Sequence, residues 1–140
     1  MTAWTAWFDG AFPYGHSAFG FVLKREGQTI KTGHGFVPLL SREETTNVAE
    51  YGGLIEALNC AAGQVAPGDT LMVCGDSQLV IRQMSGQYRV KSDNLKLYFQ
   101  RAKTLVSQIE KIGVPVALVW IRREENTEAD ELSKTKGASA

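Results

Sequence analysis

The sequence predicts an α/β fold: a five-stranded mixed sheet, an antiparallel meander extended by parallel strands, with helices on its faces. Three observations lead there. Up to Phe36 the chain reads as three β-type segments separated by turn signals. From Thr46 the apolar period changes to that of a helix. Beyond Asp69, short apolar runs alternate with helical segments, the order that gives parallel strands joined by crossovers.

The elements follow in order. "TAWTAWF" is a β-type run of Thr, Trp and Phe, and "FDGA" at residues 8–11 then reads as a strand breaking into a turn, since Asp-Gly is a common hairpin dipeptide. "SAFGFVLKR" puts Phe19, Phe21 and Leu23 on one face, and "QTIKTGHGFV" returns after the turn "EGQ". Leu54, Ala57, Leu58 and Ala61 recur at helical spacing, which predicts a helix over about residues 46–62, ended by Gly63 and the Pro67-Gly68 turn. "TLMVCG" is a short, fully apolar strand, and "DSQLVIRQM" starts a helix. A longer helix spans "SDNLKLYFQRAKTLVSQIEKI", with Leu95, Tyr98, Ala102, Leu105 and Ile109 on one stripe. "VPVALVWI" predicts another buried strand and "TEADELSK" a terminal helix. One domain is expected over residues 1–135, followed by a short polar tail, 136–140.

The 140 residues, 44% apolar, suffice for a single core. The longest apolar run, "VPVALVWI", contains Pro115 and is far short of the roughly 20 residues a spanning helix needs. The start "MTAWTAW" has no basic region leading into an apolar run, so no signal peptide is expected. A soluble, cytoplasmic protein without membrane contact is predicted. Cys60 and Cys74 have neither CxxC spacing nor a His pair nearby; both read as buried packing residues, with no disulfide or zinc site. Fifteen basic residues balance fifteen acidic ones, so affinity for a polyanion must come from local segregation. Residues 82–103 carry Arg82, Arg89, Lys91, Lys96, Arg101 and Lys103 against Asp93 alone. Residues 41–60 carry Glu43, Glu44, Glu50 and Glu56 against Arg42.

Each prominent carboxylate has an ordinary structural reading. Asp9 can make a turn. Asn47 with Glu50 fits a capping box, Asp76 an N-cap, and Thr127 with Asp130 a second capping box. Their joint placement says more. If the first and fourth strands lie side by side in parallel, Asp9 and Asp76 emerge at the same edge of the sheet, where open α/β folds bind ligands. Glu50 and Asp130, in the first turns of their helices, can be aimed at that crevice. At about 5 Å and an effective dielectric near 20, each pair of charges costs on the order of 3 kcal/mol. Only a bound cation makes this tolerable, and oxygen-only ligation points to Mg²⁺, with Mn²⁺ as a substitute.

The strand-end "FDGA", helix-start "TTNVAEY", strand-end "GDSQLV" and late "REENTEADELS" together resemble, in order and spacing, the type 1 ribonuclease H family over nearly the whole chain. The segment "GQYRVKSDNLKLYFQRA" runs straight into the long helix, so the resemblance is to the compact prokaryotic or archaeal-like branch that lacks a Trp-rich basic handle. The resemblance implies a ribonuclease H-like fold and hydrolysis of the RNA strand of an RNA/DNA hybrid, giving 5′-phosphate and 3′-hydroxyl ends. Asp9, Glu50, Asp76 and Asp130 would be the metal-binding catalytic quartet, Asp9 bridging two ions about 4 Å apart when substrate is bound. The backbone of Gly10 and Ala11, the side chains of Asn47 and Gln78, and Glu50 through a 2′-hydroxyl would read the minor groove. Thr45 matches a position gripping a DNA-strand phosphate. Ser92 stands where many relatives have Asn in that pocket, and Arg42 is one residue out of register with the usual Arg. Arg89 and Lys91, in the basic segment, would meet phosphates.

Other RNA-containing duplexes are further expected partners, and the protein is expected to be a monomer. The catalytic-loop His of larger relatives has no counterpart in "WIRREENTEAD", where Arg122, Arg123 or Glu124 would either assist product release or form a solvated charge run. His16 and His34 read as ordinary surface or turn residues. Two alternatives stay open at this point: another two-metal nuclease on the same fold, exonuclease or integrase-like, and a nonenzymatic hybrid-binding module, against which the repulsion of four acids beside a polyanion argues.

Overall fold

A computed structural model describes residues 1–12 and 15–135. Pro13 and Tyr14, and the expected polar tail 136–140, lie outside the described residues. The predicted meander forms from β1 (Ala3–Ala11), β2 (Ala18–Arg25) and β3 (Gln28–Phe36). β4 (Thr70–Gly75) and β5 (Val116–Trp120) pair in parallel, and the sheet order is β3-β2-β1-β4-β5. The β2–β3 turn needs positive φ at both central residues, met by Glu26 (φ 48) and Gly27 (φ 81). Glu26 is held there by exchanging hydrogen bonds with the backbone of Ala3.

Among the described residues four α-helices follow: α1 (Thr46–Ala62), α2 (Gln78–Met84), α3 (Asp93–Lys111) and α4 (Thr127–Ser133). α3 buries the predicted stripe of Leu95, Tyr98, Ala102, Leu105 and Ile109. These side chains join Tyr51, Leu54 and Leu58 of α1 and Phe8, Leu23 and Val73 of the sheet in one core. Residues 85–92 connect α2 to α3 directly, without an intervening handle. Among the described residues no helix is long and apolar enough to cross a membrane.

The two helix-bearing faces can be told apart by glycines. A Cβ on Gly10 would lie 2.2 Å from the Ala49 backbone of α1, whereas one on Gly20 would lie 2.4 Å from the Ala129 carbonyl of α4. Asp9 pairs with Gly20, so it shares the α4 face, and Gly10, one residue on, faces α1.

Two strands are less buried than an apolar reading implies. Met72 of β4 is exposed, as is its β5 partner Ala117, and β5 has no buried residue. The reason is topological: β5 is an edge strand, and α4 packs chiefly on β1 and β2 with a lesser contact to β3. Cys74 is buried as expected, whereas Cys60 is only half-buried; both are free.

Candidate active site

The parallel ladder between β1 and β4 ends at Phe8 opposite Gly75. Asp9 and Asp76 each follow the last parallel pair and so stand side by side at that end of the ladder. "FDGA" is not a turn, however. β1 continues through it to Ala11, with Asp9 paired to Gly20 and Gly10 to Phe19. The long register with β2 overrides the local turn preference of Asp-Gly.

Glu50 arrives from α1. The helix is capped by Thr45, whose Oγ1 accepts from the Val48 N–H at 3.1 Å, so the Asn47–Glu50 capping box does not form. Glu50 sits one turn inside, and its Oε1 accepts from the Gly10 N–H at 2.7 Å. This approach depends on two glycines. Any side chain at Gly10 would strike the α1 backbone, and a Cβ on Gly53 would lie 2.5 Å from the Asp9 carbonyl oxygen. Nor does Asp76 cap α2: Ser77 does, its Oγ accepting from the Val80 N–H at 3.2 Å, which leaves the Asp76 carboxylate for the crevice. Trp120 Nε1–H donates to the Asp76 carbonyl at 3.1 Å.

Asp130 is carried by α4, and the expected Thr127–Asp130 capping box is likewise absent. Asn126 takes the N-cap position without a side-chain cap bond. Its Nδ2 donates instead to the Phe8 carbonyl at 2.8 Å and to Asp76 Oδ2 at 3.2 Å. Its own carbonyl accepts from the Asp130 N–H at 3.1 Å. One buried asparagine thus ties together β1, the end of β4 and α4. At the far end of α4, Ser133 Oγ lies 3.2 Å from Asp9 Oδ2.

Carboxylate oxygens of Asp9, Glu50 and Asp76 all lie within 4.8 Å of one another. Asp130 lines the same open cavity of about 660 Å³, but stands outside this group and is paired with Lys134 Nζ at 3.2 Å and Arg123 at 4.0 Å. Burial, reinforced by the Asp76 and Asp130 charges, pushes the Asp9 carboxyl up to about 7. Burial, with the Asp9 and Asp76 charges, pushes Glu50 up to about 9. Burial also acts upward on Asp130, but a hydrogen bond with Asp9 and the Lys134 and Arg123 cations outweigh it and hold that carboxyl below its ordinary value. An oxygen-only cluster in which crowding and burial disfavour the charged forms of Asp9 and Glu50 fits a hard divalent ion, whose charge would offset that repulsion.

The expected substrate contacts are arranged around this cavity. Ala11 lines it, together with Phe12 and Thr46. The Gly10 N–H is already engaged by Glu50. Asn47 and Gln78 are exposed near the starts of α1 and α2. Ser92 caps α3, its Oγ accepting from the Leu95 N–H at 3.2 Å. Arg89 and Lys91 line a separate shallow depression with Leu79, Gln87 and Tyr88. His16 is an exposed loop residue beside Glu44. Asn126, Ser133, Lys134 and Gly20 escaped the reading of the sequence. Asn126 was visible only as the residue before "TEAD", and nothing local indicates that its amide serves a strand more than a hundred residues earlier.

The sequence matches the reverse transcriptase-like family over residues 8–136. It is 44% identical over 90 residues to the bifunctional protein Rv2228c of Mycobacterium tuberculosis, covering 64% of this chain and 23% of that protein. It is 31% identical over 131 residues to ribonuclease HI of Halobacterium salinarum, covering 91% of this chain and 61% of that one. The chain therefore spans less than two thirds of either relative. The crystal structure of RNase H1 from Halobacterium salinarum superimposes with a TM-score of 0.79 at 30% identity, covering 94% of both chains. LC11-RNase H1, solved in complex with an RNA/DNA hybrid, superimposes at 0.73 with 31% identity over 92% of both.

Proposed function

The chain belongs to the type 1 ribonuclease H family, and from that premise we propose that it is an endoribonuclease hydrolysing the RNA strand of RNA/DNA hybrids. On this reading residues 1–135 form the catalytic domain of a monomeric, cytoplasmic enzyme, and the products carry 5′-phosphate and 3′-hydroxyl ends. The observation that carries the reading is the convergence of Asp9, Glu50 and Asp76 oxygens within 4.8 Å where the parallel β1–β4 ladder ends, with Asp130 lining the same cavity.

Asp9, Glu50, Asp76 and Asp130 would hold Mg²⁺, or Mn²⁺ in its place. Two such ions supply charge for activating water and for stabilising the leaving 3′ oxygen. The rest falls to the chain's own groups. Asp9 and Asp76, fixed on adjacent strand ends, set the line along which the phosphodiester is placed. Glu50, held by the Gly10 N–H, presents its second oxygen to a 2′-hydroxyl, the group that distinguishes RNA from DNA. The backbone of Gly10 and Ala11 and the exposed amides of Asn47 and Gln78 read the minor groove alongside. Thr45 and Ser92 contact the DNA strand with the side-chain capacity that capping leaves them, while Arg89 and Lys91 meet phosphates electrostatically. Of Arg122, Arg123 and Glu124, it is Arg123, beside Asp130, that would attend the departing product.

Cleavage of labelled RNA in a hybrid, in duplex RNA and as one ribonucleotide in a DNA duplex, each with Mg²⁺ and with EDTA, tests the proposal. Internal, Mg²⁺-dependent cuts in the hybrid are expected. Robust activity in excess EDTA would sink the metal-dependent reading, and stepwise loss from one end would replace the endonuclease by an exonuclease.

A further inference from the structure

Ser133 stands where two of the four acids meet. Its Oγ lies 2.7 Å from the Asp130 carbonyl oxygen, one helical turn back, and 3.2 Å from Asp9 Oδ2. The contact is dry, since Ser133 is 1% and Asp9 4% exposed. A hydroxyl carries one proton and two lone pairs, so this contact persists whichever partner donates. The single proton serves one acceptor at a time, and a charged Asp9 competes for it with the nearer Asp130 carbonyl, because hydrogen bonds to an ion are the stronger. The serine is brought into reach by Gly20: a Cβ there would lie 2.5 Å from the Ser133 N. With nothing but hydrogen at that position, the α4 backbone lies directly on β2, next to the strand residue that faces Asp9.

We infer that Ser133 is a positioning residue for the cation site, its hydroxyl fixing the rotation of the Asp9 carboxylate and so setting the site's affinity for a divalent ion without touching RNA. The inference rests on the reading that Asp9, Glu50 and Asp76 hold the cation. A carboxylate with one oxygen anchored on a buried donor keeps its plane relative to the other two acids; without that anchor the plane must be re-established on each binding event. Helix packing does not need the hydroxyl, because the seat on Gly20 is made by backbone and Cβ atoms. Ser133→Ala therefore isolates the hydrogen bond.

The test is Mn²⁺ binding to the substrate-free full chain, followed by electron paramagnetic resonance or calorimetry, for wild type, Ser133→Ala and Asp9→Asn. Ser133→Ala is expected to weaken Mn²⁺ binding on the order of tenfold, the usual cost of removing a residue that orients a metal ligand. The Mg²⁺ concentration for half-maximal cleavage should rise by a similar factor. KM for the hybrid at saturating Mg²⁺, and the melting temperature in EDTA, should stay near wild type. If Ser133→Ala binds Mn²⁺ like wild type while Asp9→Asn does not, the role of Ser133 is overturned and the cation site stands. If Asp9→Asn binds like wild type, the cation site itself falls, and this inference with it.

Discussion

Asp9 and Gly20 face each other across the β1–β2 ladder, and the backbone of α4 occupies the space a side chain at position 20 would need. The missing side chain admits the helix that carries Asp130 and Ser133. A strand residue without chemistry of its own thus governs how near the fourth acid comes to the first.

Gly20→Ala should therefore damage both stability and activity. The added methyl meets the Ala129 carbonyl at 2.4 Å, a contact with backbone that cannot rotate away. Overpacking of this kind costs about 1–3 kcal/mol, and displacement of α4 should lower cleavage even under conditions where the variant is folded. Urea unfolding with cleavage at low temperature checks this; a variant as stable and as active as wild type would show that α4 is not seated on Gly20.

The metal-free protein should lose stability as pH rises. Asp9 and Glu50 titrate near 7 and 9 in the fold but near 4 in an unfolded chain, so the native state binds more protons in between. Stability should decline from about pH 4 up to about pH 9. Asp130 has the opposite sign: its lowered carboxyl gives a contribution that is lost as pH falls below its ordinary range. Melts in EDTA at pH 5, 7 and 9 should show a falling series, and saturating Mg²⁺ should flatten it. A series that rises in EDTA contradicts the crowding of charge.

Asp9→Asn should abolish turnover yet leave the metal-free protein at neutral pH as stable as wild type or more so, since one buried carboxyl no longer has to ionise. Ligand present at a hundred times its Kd stabilises a fold by about 2.7 kcal/mol, so Mg²⁺ should raise the wild-type melting temperature and leave the variant nearly unmoved. A variant melting well below wild type in EDTA would make Asp9 chiefly a structural residue.

Replacing Arg89 and Lys91 together by Ala should weaken hybrid binding and flatten its salt dependence. Each phosphate contact contributes about 0.9 to the slope of log K against log salt, so losing both reduces it by about 1–2. Binding measured across a salt series is the check, and an unchanged slope would place the nucleic acid elsewhere.

The sequence was most informative where pattern is long. The α3 stripe and the limits of α1 follow from periodicity over four or five turns, and the parallel neighbours β1 and β4 follow from two apolar runs separated by a helix. Local chemistry misled where tertiary contacts compete with it. Asp-Gly at 9–10 reads as a turn, but β2 holds it extended. Asn47 and Thr127 look like caps, but Thr45 caps α1, and Asn126 at the N-cap of α4 spends its amide on the sheet. The apolar run at β5 reads as buried, though an edge position leaves it half open. The convergence of acids was legible only from their joint placement, since each alone has an ordinary structural reading. Asn126 and Ser133 were not, because a polar residue beside a helix terminus has an ordinary explanation until its distant partner is known.

The amide of Asn126 reaches back to the carbonyl of Phe8, and the acids stand at positions 9, 50, 76 and 130. The cluster is therefore drawn from four distant segments, and the one that completes it is α4, the last of the described elements. During translation, a ribosome-bound chain with β1 to β4 already formed would hold Asp9, Glu50 and Asp76 but neither the fourth acid nor the asparagine that pins the strand ends.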